Sequence, residues 1–330
     1  MVPRVATTLR LFVAVVIASL AACGAGAPAT RAAEPAITTG AHVWVSVAVA
    51  TLWTSPTAPR TVDAPALQSP VHIRRWLAAM STSLRRGLVG RVETQALYGE
   101  PLVVTATSGA WLRVVAPWQP TSRDRRGYPG WVPMRQVTTR RPAATTRIAT
   151  VTRLTTWLRN SSGARVVEVS LGTRLPVVTT GTTSVRVATP TGGRLLVSSS
   201  AIAIRTPSAA ALPATPSSVV ATARRFLGVS YLWGGRSGFA VDCSGFTSLV
   251  YAVHGRRLPR DADDQSRAGV AISRPTRGGD LTFYGPSRAP THVAMYVGSG
   301  MLIHAPSTGH PVQLVKVSAM PAPTRVRRVM

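Results

Sequence analysis

The chain has 330 residues, room for two or three domains, each with its own core. Hydrophobic residues make up 45% of it, which excludes wholesale disorder, while 15% charged residues is low for a soluble domain. The formal net charge is +27, but all but one of the 38 basic residues are arginine, and they are scattered, with no zinc-finger spacing and no long basic block. Nucleic acid is therefore not the expected partner. A diffuse positive field suits an anionic cell wall or membrane surface.

Arg4 and Arg10 precede the apolar run "LFVAVVIASLAA", which ends at Cys23. A basic start, a short apolar stretch and small residues read as an export signal, too short to span a bilayer stably. Leu20-Ala21-Ala22-Cys23 also resembles the bacterial lipobox, which predicts residues 1–23 as a signal with Cys23 acylated and anchored to the membrane. The alternative is plain secretion with later cleavage near "ATRAAEP". Residues 24–41, small and polar with prolines, form a tether. In either case the exported chain keeps one cysteine, Cys243, which cannot form an intramolecular disulfide.

From His42, short β-rich runs alternate with turn residues: "HVWVSVAVATLW", "GRVETQALYG", "EPLVVTATS", "AWLRVVAPW" and "YPGWVPMRQV". Their spacing predicts a small all-β barrel over 42–140. One helix interrupts it, with Ser69 as N-cap, Pro70 in the first turn, and Val71, Ile73, Trp76, Leu77 and Met80 mostly on one face. "LYGEPLVVTATSGAWLRVVAP" (97–117) then recurs in outline as "LGTRLPVVTTGTTSVRVATP" (171–190). This repeat predicts a second copy of the β module over 145–205. Both copies resemble bacterial SH3-like domains. A linker covers 206–216.

The remainder, 217–330, changes character. Ser217 or Ser218 is expected to cap a helix carrying Val219, Val220, Ala223, Phe226 and Leu227, stopped at Gly228. A second helix follows Cys243, with Phe246, Leu249, Val250 and Val253 on its apolar stripe and Gly255 past its end. Strand-like runs come next: "DLTFYG", "HVAMYVG", "MLIHAP" and "PVQLVKV". Helices followed by antiparallel strands are an α+β signature.

"VDCSGF" places Cys243 at a helix start, where free N–H groups and the helix dipole favour thiolate and predict a depressed thiol pKa. His292 and His304 lie on consecutive predicted strands around the Gly298–Gly300 turn, which brings them together as a base and its orienter. Tyr231 in "YLWGG" stands just upstream of the cysteine. Two other readings stay open on residues alone: that Cys243 and the histidines are core residues, and that they ligate zinc, although no fourth ligand is evident.

Taken together, Tyr231-Leu232-Trp233-Gly234-Gly235, Asp242-Cys243-Ser244-Gly245, Gly279-Asp280, His292 to Gly298 and Ile303-His304-Ala305 resemble NlpC-type cell-wall cysteine peptidases. The resemblance implies an α+β papain-like catalytic domain behind two small all-β SH3-like barrels. It implies Cys243 as nucleophile, His292 as general base and His304 as the residue that orients it, with no metal or cofactor. The front half is similar to the dipeptidyl-peptidase VI subgroup, in which the first SH3-like domain closes the cleft and holds the substrate's free amine. Glu93 and Tyr128 match that role, with Tyr231, Asp242 and Ser244 contributing from the catalytic side. A serine common in the subgroup is replaced by Ala262, so one substrate contact is either missing or taken over by Asp261 or Asp263. The expected reaction is hydrolysis of the γ-D-glutamyl–diamino acid bond of peptidoglycan stem peptides with a free N-terminal L-Ala. The alternatives are an endopeptidase of intact peptidoglycan and a non-catalytic wall-binding protein.

Overall fold

The computed structural model describes residues 1–3 and 37–330. The expected export signal from Arg4 onward, Cys23 and residues 24–36 of the tether lie outside the described residues.

In the first barrel, β1 (His42–Val45) buries Val43 and Val45 while Trp44 stays half-buried, the period-2 pattern of a strand with one inward face. β2 (Val49–Trp53) follows. Three short helices then intervene: α1 (Ala64–Leu67), α2 (Ile73–Ala79) and α3 (Thr82–Arg86). The barrel closes with β3 (Val92–Leu97), β4 (Pro101–Ser108), β5 (Trp111–Ala116), β6 (Tyr128–Pro133) and β7 (Val137–Thr138). A second barrel contains β8 (Ile148–Val151), β9 (Thr155–Arg159), β10 (Arg165–Ser170), β11 (Arg174–Thr180), β12 (Ser184–Ala188), β13 (Arg194–Ser198) and β14 (Ile202–Arg205). The first sheet runs β3-β2-β6-β5-β4-β1-β7 and the second β10-β9-β13-β12-β11-β8-β14, the same strand order position by position. The repeat read from the sequence is the β4–β5 hairpin of one barrel and the β11–β12 hairpin of the other.

The helical insertion differs from expectation. The Ser69–Pro70 peptide is cis, and α2 begins at Ile73 after His72, with no side-chain cap. What places α2 is Trp76: its ring is buried, and Nε1 donates to Asp63 Oδ1 at 2.8 Å. Ile73 and Met80 are buried as expected, but Val71 lies before the helix and packs on the barrel core.

The last third holds α4 (Pro216–Arg224), β15 (Arg236–Ser237), β16 (Ala240–Val241), α5 (Cys243–Val253) and α6 (Ala262–Gln265). Thr215, not Ser217 or Ser218, caps α4: its hydroxyl accepts from Ser218 N, and Pro216 takes N1, where its missing N–H costs nothing. Leu227 is exposed beyond the helix end. A six-stranded antiparallel sheet follows, ordered β17-β22-β18-β19-β20-β21. Its members are β17 (Val270–Ala271), β18 (Leu281–Tyr284), β19 (His292–Gly298), β20 (Met301–His304), β21 (Gln313–Lys316) and β22 (Arg325–Arg328). β17 and β22 were not anticipated. β22 is four residues long with three arginines, a pattern that hydrophobic alternation does not reveal. The linker is packed rather than free: Ala211 is buried, and Leu212 N donates to Val253 O.

One continuous apolar core joins the helical insertion (Trp76), β3 (Val92), the second barrel (Leu171) and the α5–sheet layer (Phe246, Leu249, Phe283). The barrels are thus fixed against the catalytic layers by burial, the dominant favourable term in such docking.

Candidate active site

Asp242 has the extended backbone of an N-cap, and its Oδ1 accepts from Gly245 N at 2.6 Å. This starts α5 at Cys243. A Cβ on Gly245 would lie 2.0 Å from the Gly235 carbonyl oxygen, so the helix can approach the preceding turn only with glycine there. Gly234 is doubly constrained. Its φ is +73°, a Cβ would meet Val92 Cγ1 at 2.4 Å, and its N–H donates to Asp242 Oδ2 at 2.9 Å. The "WGG" turn therefore seats the nucleophile helix directly on β3 of the first barrel.

The Cys243 thiol lies against the start of β19. Sγ points at the Thr291 carbonyl at 4.0 Å, and the Val293 N–H donates to the sulfur. These residues flank His292. Across the hairpin Met295 faces Ile303, which sets His304 diagonal to His292, and His292 Nε2 lies 2.9 Å from His304 Nδ1. The two rings meet edge to face at 5.2 Å, and Tyr284 borders His292 on the other side. With Nε2 engaged by His304, Nδ1 is the nitrogen of His292 left for the thiol. His304 Nε2 is buried without a protein partner.

The resting electrostatics differ from expectation. Burial first, then the Asp242 carboxylate, push the Cys243 thiol up to about 12, outweighing the Val293 and Ser244 N–H groups and Arg260. Burial, with a smaller contribution from His304, pushes His292 down to about 4. Helix-start N–H groups alone would stabilise thiolate, but Cys243 is buried and stands beside a carboxylate. Burial and the neighbouring carboxylate thus favour neutral thiol and neutral imidazole, the opposite direction to the depressed thiol pKa expected from the helix position. Such a pair can transfer the proton to His292 as sulfur attacks a carbonyl, and return it to a leaving amine.

Around this pair is a polar frame whose centre sequence reasoning missed. Arg260, 1% exposed, donates to Asp242 Oδ1 at 3.0 Å and Oδ2 at 2.6 Å, to Ser244 Oγ at 3.0 Å, and to Thr94 Oγ1 of the first barrel at 2.7 Å. It is a fully buried cation made tolerable by a bidentate carboxylate. Asp242 and Ser244, expected on the substrate side, are thereby committed to the frame. Tyr231 is buried beside Asp242, and burial raises its hydroxyl pKa. The local sequence of Arg260, Arg256-Arg257-Leu258-Pro259-Arg260-Asp261, gives no signal that sets it apart from the other arginines; only its burial does.

Glu93 and Tyr128 are brought together on the first barrel, but not as an open pair. Arg123 forks onto Glu93 at 2.5 and 2.9 Å, donates to Tyr128 Oη at 2.9 Å, and stacks on the Tyr128 ring. Tyr128 Oη in turn reaches Asp261 Oδ2 at 2.9 Å. Asp261 stands just before α6 without a side-chain capping bond, and burial raises its carboxyl pKa. Asp263 instead faces Arg267 at 3.7 Å, and Ala262 is buried. Of the two acids proposed to compensate for Ala262, the structure places Asp261 at the cluster.

Other polar pairs complete the joint. Trp233 Nε1 donates to Val92 O, and Gln95 Oε1 accepts from Arg236 N and Ser237 Oγ. Buried His254 is different in kind. It bridges Pro213 O and Thr222 Oγ1, fastening the end of α5 to α4.

Comparison with known proteins agrees with this geometry. Residues 228–329 match the NlpC/P60 family and residues 151–204 match the YKFC SH3b2 domain. The chain is 36% identical to the gamma-D-glutamyl-L-lysine dipeptidyl-peptidase of Bacillus subtilis over 84% of its own length and 94% of the relative's. It is also 36% identical to the Bacillus cereus protein of the same name, over 83% and 86%. A crystal structure of an NlpC/P60 family protein from Bacillus cereus superposes with a TM-score of 0.82 at 33% identity, covering 88% of this chain and 99% of that one. Strand order, hairpin histidines and helix-start cysteine thus occur together in a chain that belongs to the NlpC/P60 family of cysteine peptidases.

Proposed function

We propose that this peptidase hydrolyses the γ-D-glutamyl–diamino acid bond of peptidoglycan stem peptides that carry a free N-terminal L-Ala. The observation that carries the reading is the acidic cluster of Glu93, Tyr128 and Asp261, built jointly by the first barrel and α6. Its Glu93 follows Val92, which packs on Gly234, and the Gly234 N–H bonds the Asp242 cap of the Cys243 helix. A cluster of acceptors suits an ammonium, and two relatives matched over most of their length are named gamma-D-glutamyl-L-lysine dipeptidyl-peptidases.

Cys243 Sγ attacks the γ-glutamyl carbonyl as His292 Nδ1 takes the thiol proton. His304 holds the imidazole through the Nε2–Nδ1 contact. N–H groups at the start of α5 stabilise the developing oxyanion. His292 then protonates the leaving amine, and water, deprotonated by the same imidazole, releases the acyl group. The substrate's ammonium must displace Arg123 from Glu93. We further read residues 1–23 as the export signal and Cys23 as the acylated anchor, which would set the enzyme at the outer membrane surface facing the wall.

Incubation with L-Ala-γ-D-Glu-diaminopimelate, followed by mass spectrometry, tests this reading. Expected products are L-Ala-D-Glu and free diaminopimelate, with turnover reduced more than about 1,000-fold in Cys243→Ser. Cleavage at another bond, or full turnover in the serine variant, would overturn it.

A further inference from the structure

At the junction of the two barrels with the catalytic layers is a cavity of about 240 Å³ walled mainly by apolar side chains, among them Trp44, Trp118, Ile148 and Pro176. Two guanidinium groups face the same indole there. The Arg174 and Arg257 guanidinium carbons lie 5.6 and 5.4 Å from the Trp118 ring centre. Neither pairs with a carboxylate among the described residues. Arg174 donates to the Pro207 carbonyl.

The adjoining crevice adds Arg236 and Glu100 to these two arginines. Glu100 is already taken: it accepts from Arg236 at 3.2 Å, from Gln119 at 2.9 Å and from Leu97 N at 3.0 Å. Three guanidinium groups therefore line a crevice that holds one carboxylate, and that carboxylate is taken by Arg236. Arg236 is 5% exposed, and its Nε is buried without a partner. Like charges held this close in a partly dry site repel and are relieved by a bound anion. Burial, and secondarily Arg257, lower the Arg174 pKa, in keeping with an uncompensated cation.

The position is not the catalytic one. The crevice touches Leu249, Ala252 and Val253, in the second half of α5. At about 1.5 Å per residue these lie roughly 9 to 15 Å along the helix from Cys243.

We propose that this junction binds an anion carried on a sugar ring, with the ring against the Trp- and Pro-lined wall and its carboxylate or phosphate on Arg257 and Arg174. Cationic forks supply the charge recognition, and an apolar cavity of this size takes one ring. The site belongs to the assembled three-domain chain and does not depend on which peptide bond the enzyme cleaves.

Isothermal titration of the whole protein with N-acetylmuramic acid, N-acetylglucosamine 6-phosphate, neutral N-acetylglucosamine and inorganic phosphate tests it. At least one anionic sugar should bind at least 10-fold tighter than the neutral sugar and than inorganic phosphate. That affinity should weaken with added salt. Arg257→Gln, a change at an exposed side chain, should lower it at least 10-fold while leaving peptide hydrolysis unchanged. Preference for the carboxylate or the phosphate sugar identifies the source of the anion. Equal binding of neutral and charged sugars, binding of inorganic phosphate as tight as either sugar, no binding at all, or an Arg257→Gln protein that binds like wild type would each overturn the proposal.

Discussion

The two barrels share one strand order, yet they meet the rest of the chain in different ways. The first presents side chains to the catalytic domain around the nucleophile: Thr94 to Arg260, Gln95 to Arg236 and Ser237, and Tyr128 to Asp261. The second touches it through packing and single bonds: Ser170 Oγ accepts from Gly238 N, Thr152 O accepts from Arg225, and Gly172 lies against Leu249. The same scaffold therefore serves once as a wall of the site and once as a brace. What separates them is a handful of side chains on β3 and β6, not architecture.

The largest expected effect breaks the first joint. Arg260→Met leaves Asp242 buried without its cation, which should cost about 3–5 kcal/mol in urea unfolding and reduce kcat/KM more than about 100-fold as the cap and thiol shift. The matching change at the second joint, Arg225→Met, removes one hydrogen bond to Thr152 O and should cost no more than about 1.5 kcal/mol with unchanged kinetics. Similar losses in both variants would erase the distinction between wall and brace.

Each barrel also offers a partly exposed acid–arginine pair for comparison, Glu93 with Arg123 and Glu168 with Arg74. Glu93→Gln should lower kcat/KM on a free-amine peptide about 10- to 150-fold, the equivalent of one charge-assisted hydrogen bond of about 1.5–3 kcal/mol. Glu168→Gln should leave hydrolysis untouched and shift stability by no more than about 1 kcal/mol, since Arg74 is largely exposed. Peptide kinetics and thermal melts distinguish the two.

The sequence carried the chemistry and the duplication but not the frame between them. Cys243, His292 and His304 were legible because a helix start and two strands joined by a Gly-flanked turn fix which residues meet. The repeated hairpin was legible because it preserves turn and strand spacing. Arg260 and Arg123 were not, because nothing local separates a buried or cleft arginine from the dozens on the surface; their roles exist only once Asp242, Thr94 and Glu93 arrive from distant strands. The thiol's protonation state was misread for a related reason. The helix start is local, but burial and the Asp242 carboxylate act through the assembled fold. Short elements such as α1, α3, β17 and β22 take their conformation from tertiary contacts rather than from periodicity.

A smaller effect is expected at Arg123. Arg123→Gln frees Glu93 for the substrate, so KM for a free-amine peptide should fall several-fold with kcat nearly constant, the pattern of altered ground-state binding. A rise in KM would mean that Arg123 helps to hold substrate rather than competing with it.

The pH profile separates the catalytic pair from the barrels altogether. Burial holds His292 near 4 against 6.5 for a free imidazole, so between these values the folded state binds fewer protons than the unfolded. Its contribution to stability is complete above pH 6.5 and declines as pH falls toward 4. Activity needs neutral His292, so the acid limb of kcat/KM should lie nearer pH 4 than 6.5, in wild type and in Glu93→Gln alike. Iodoacetamide should label Cys243 slowly at pH 6, because the thiol is pushed up to about 12. An acid limb at 6.5 with rapid labelling would indicate a resting thiolate–imidazolium pair.

The central claim is that the first barrel recognises the substrate's ammonium, and a thermodynamic cycle between protein and peptide measures that contact alone. Wild type and Glu93→Gln are each assayed for kcat/KM on L-Ala-γ-D-Glu-diaminopimelate and on its N-acetylated form. Acetylation should lower kcat/KM of the wild type at least 10-fold and that of Glu93→Gln by less than about 3-fold, a coupling of about 0.7 kcal/mol or more. Equal losses in both proteins, or a wild type that cleaves the two peptides equally well, would contradict it and leave the first barrel a brace like the second.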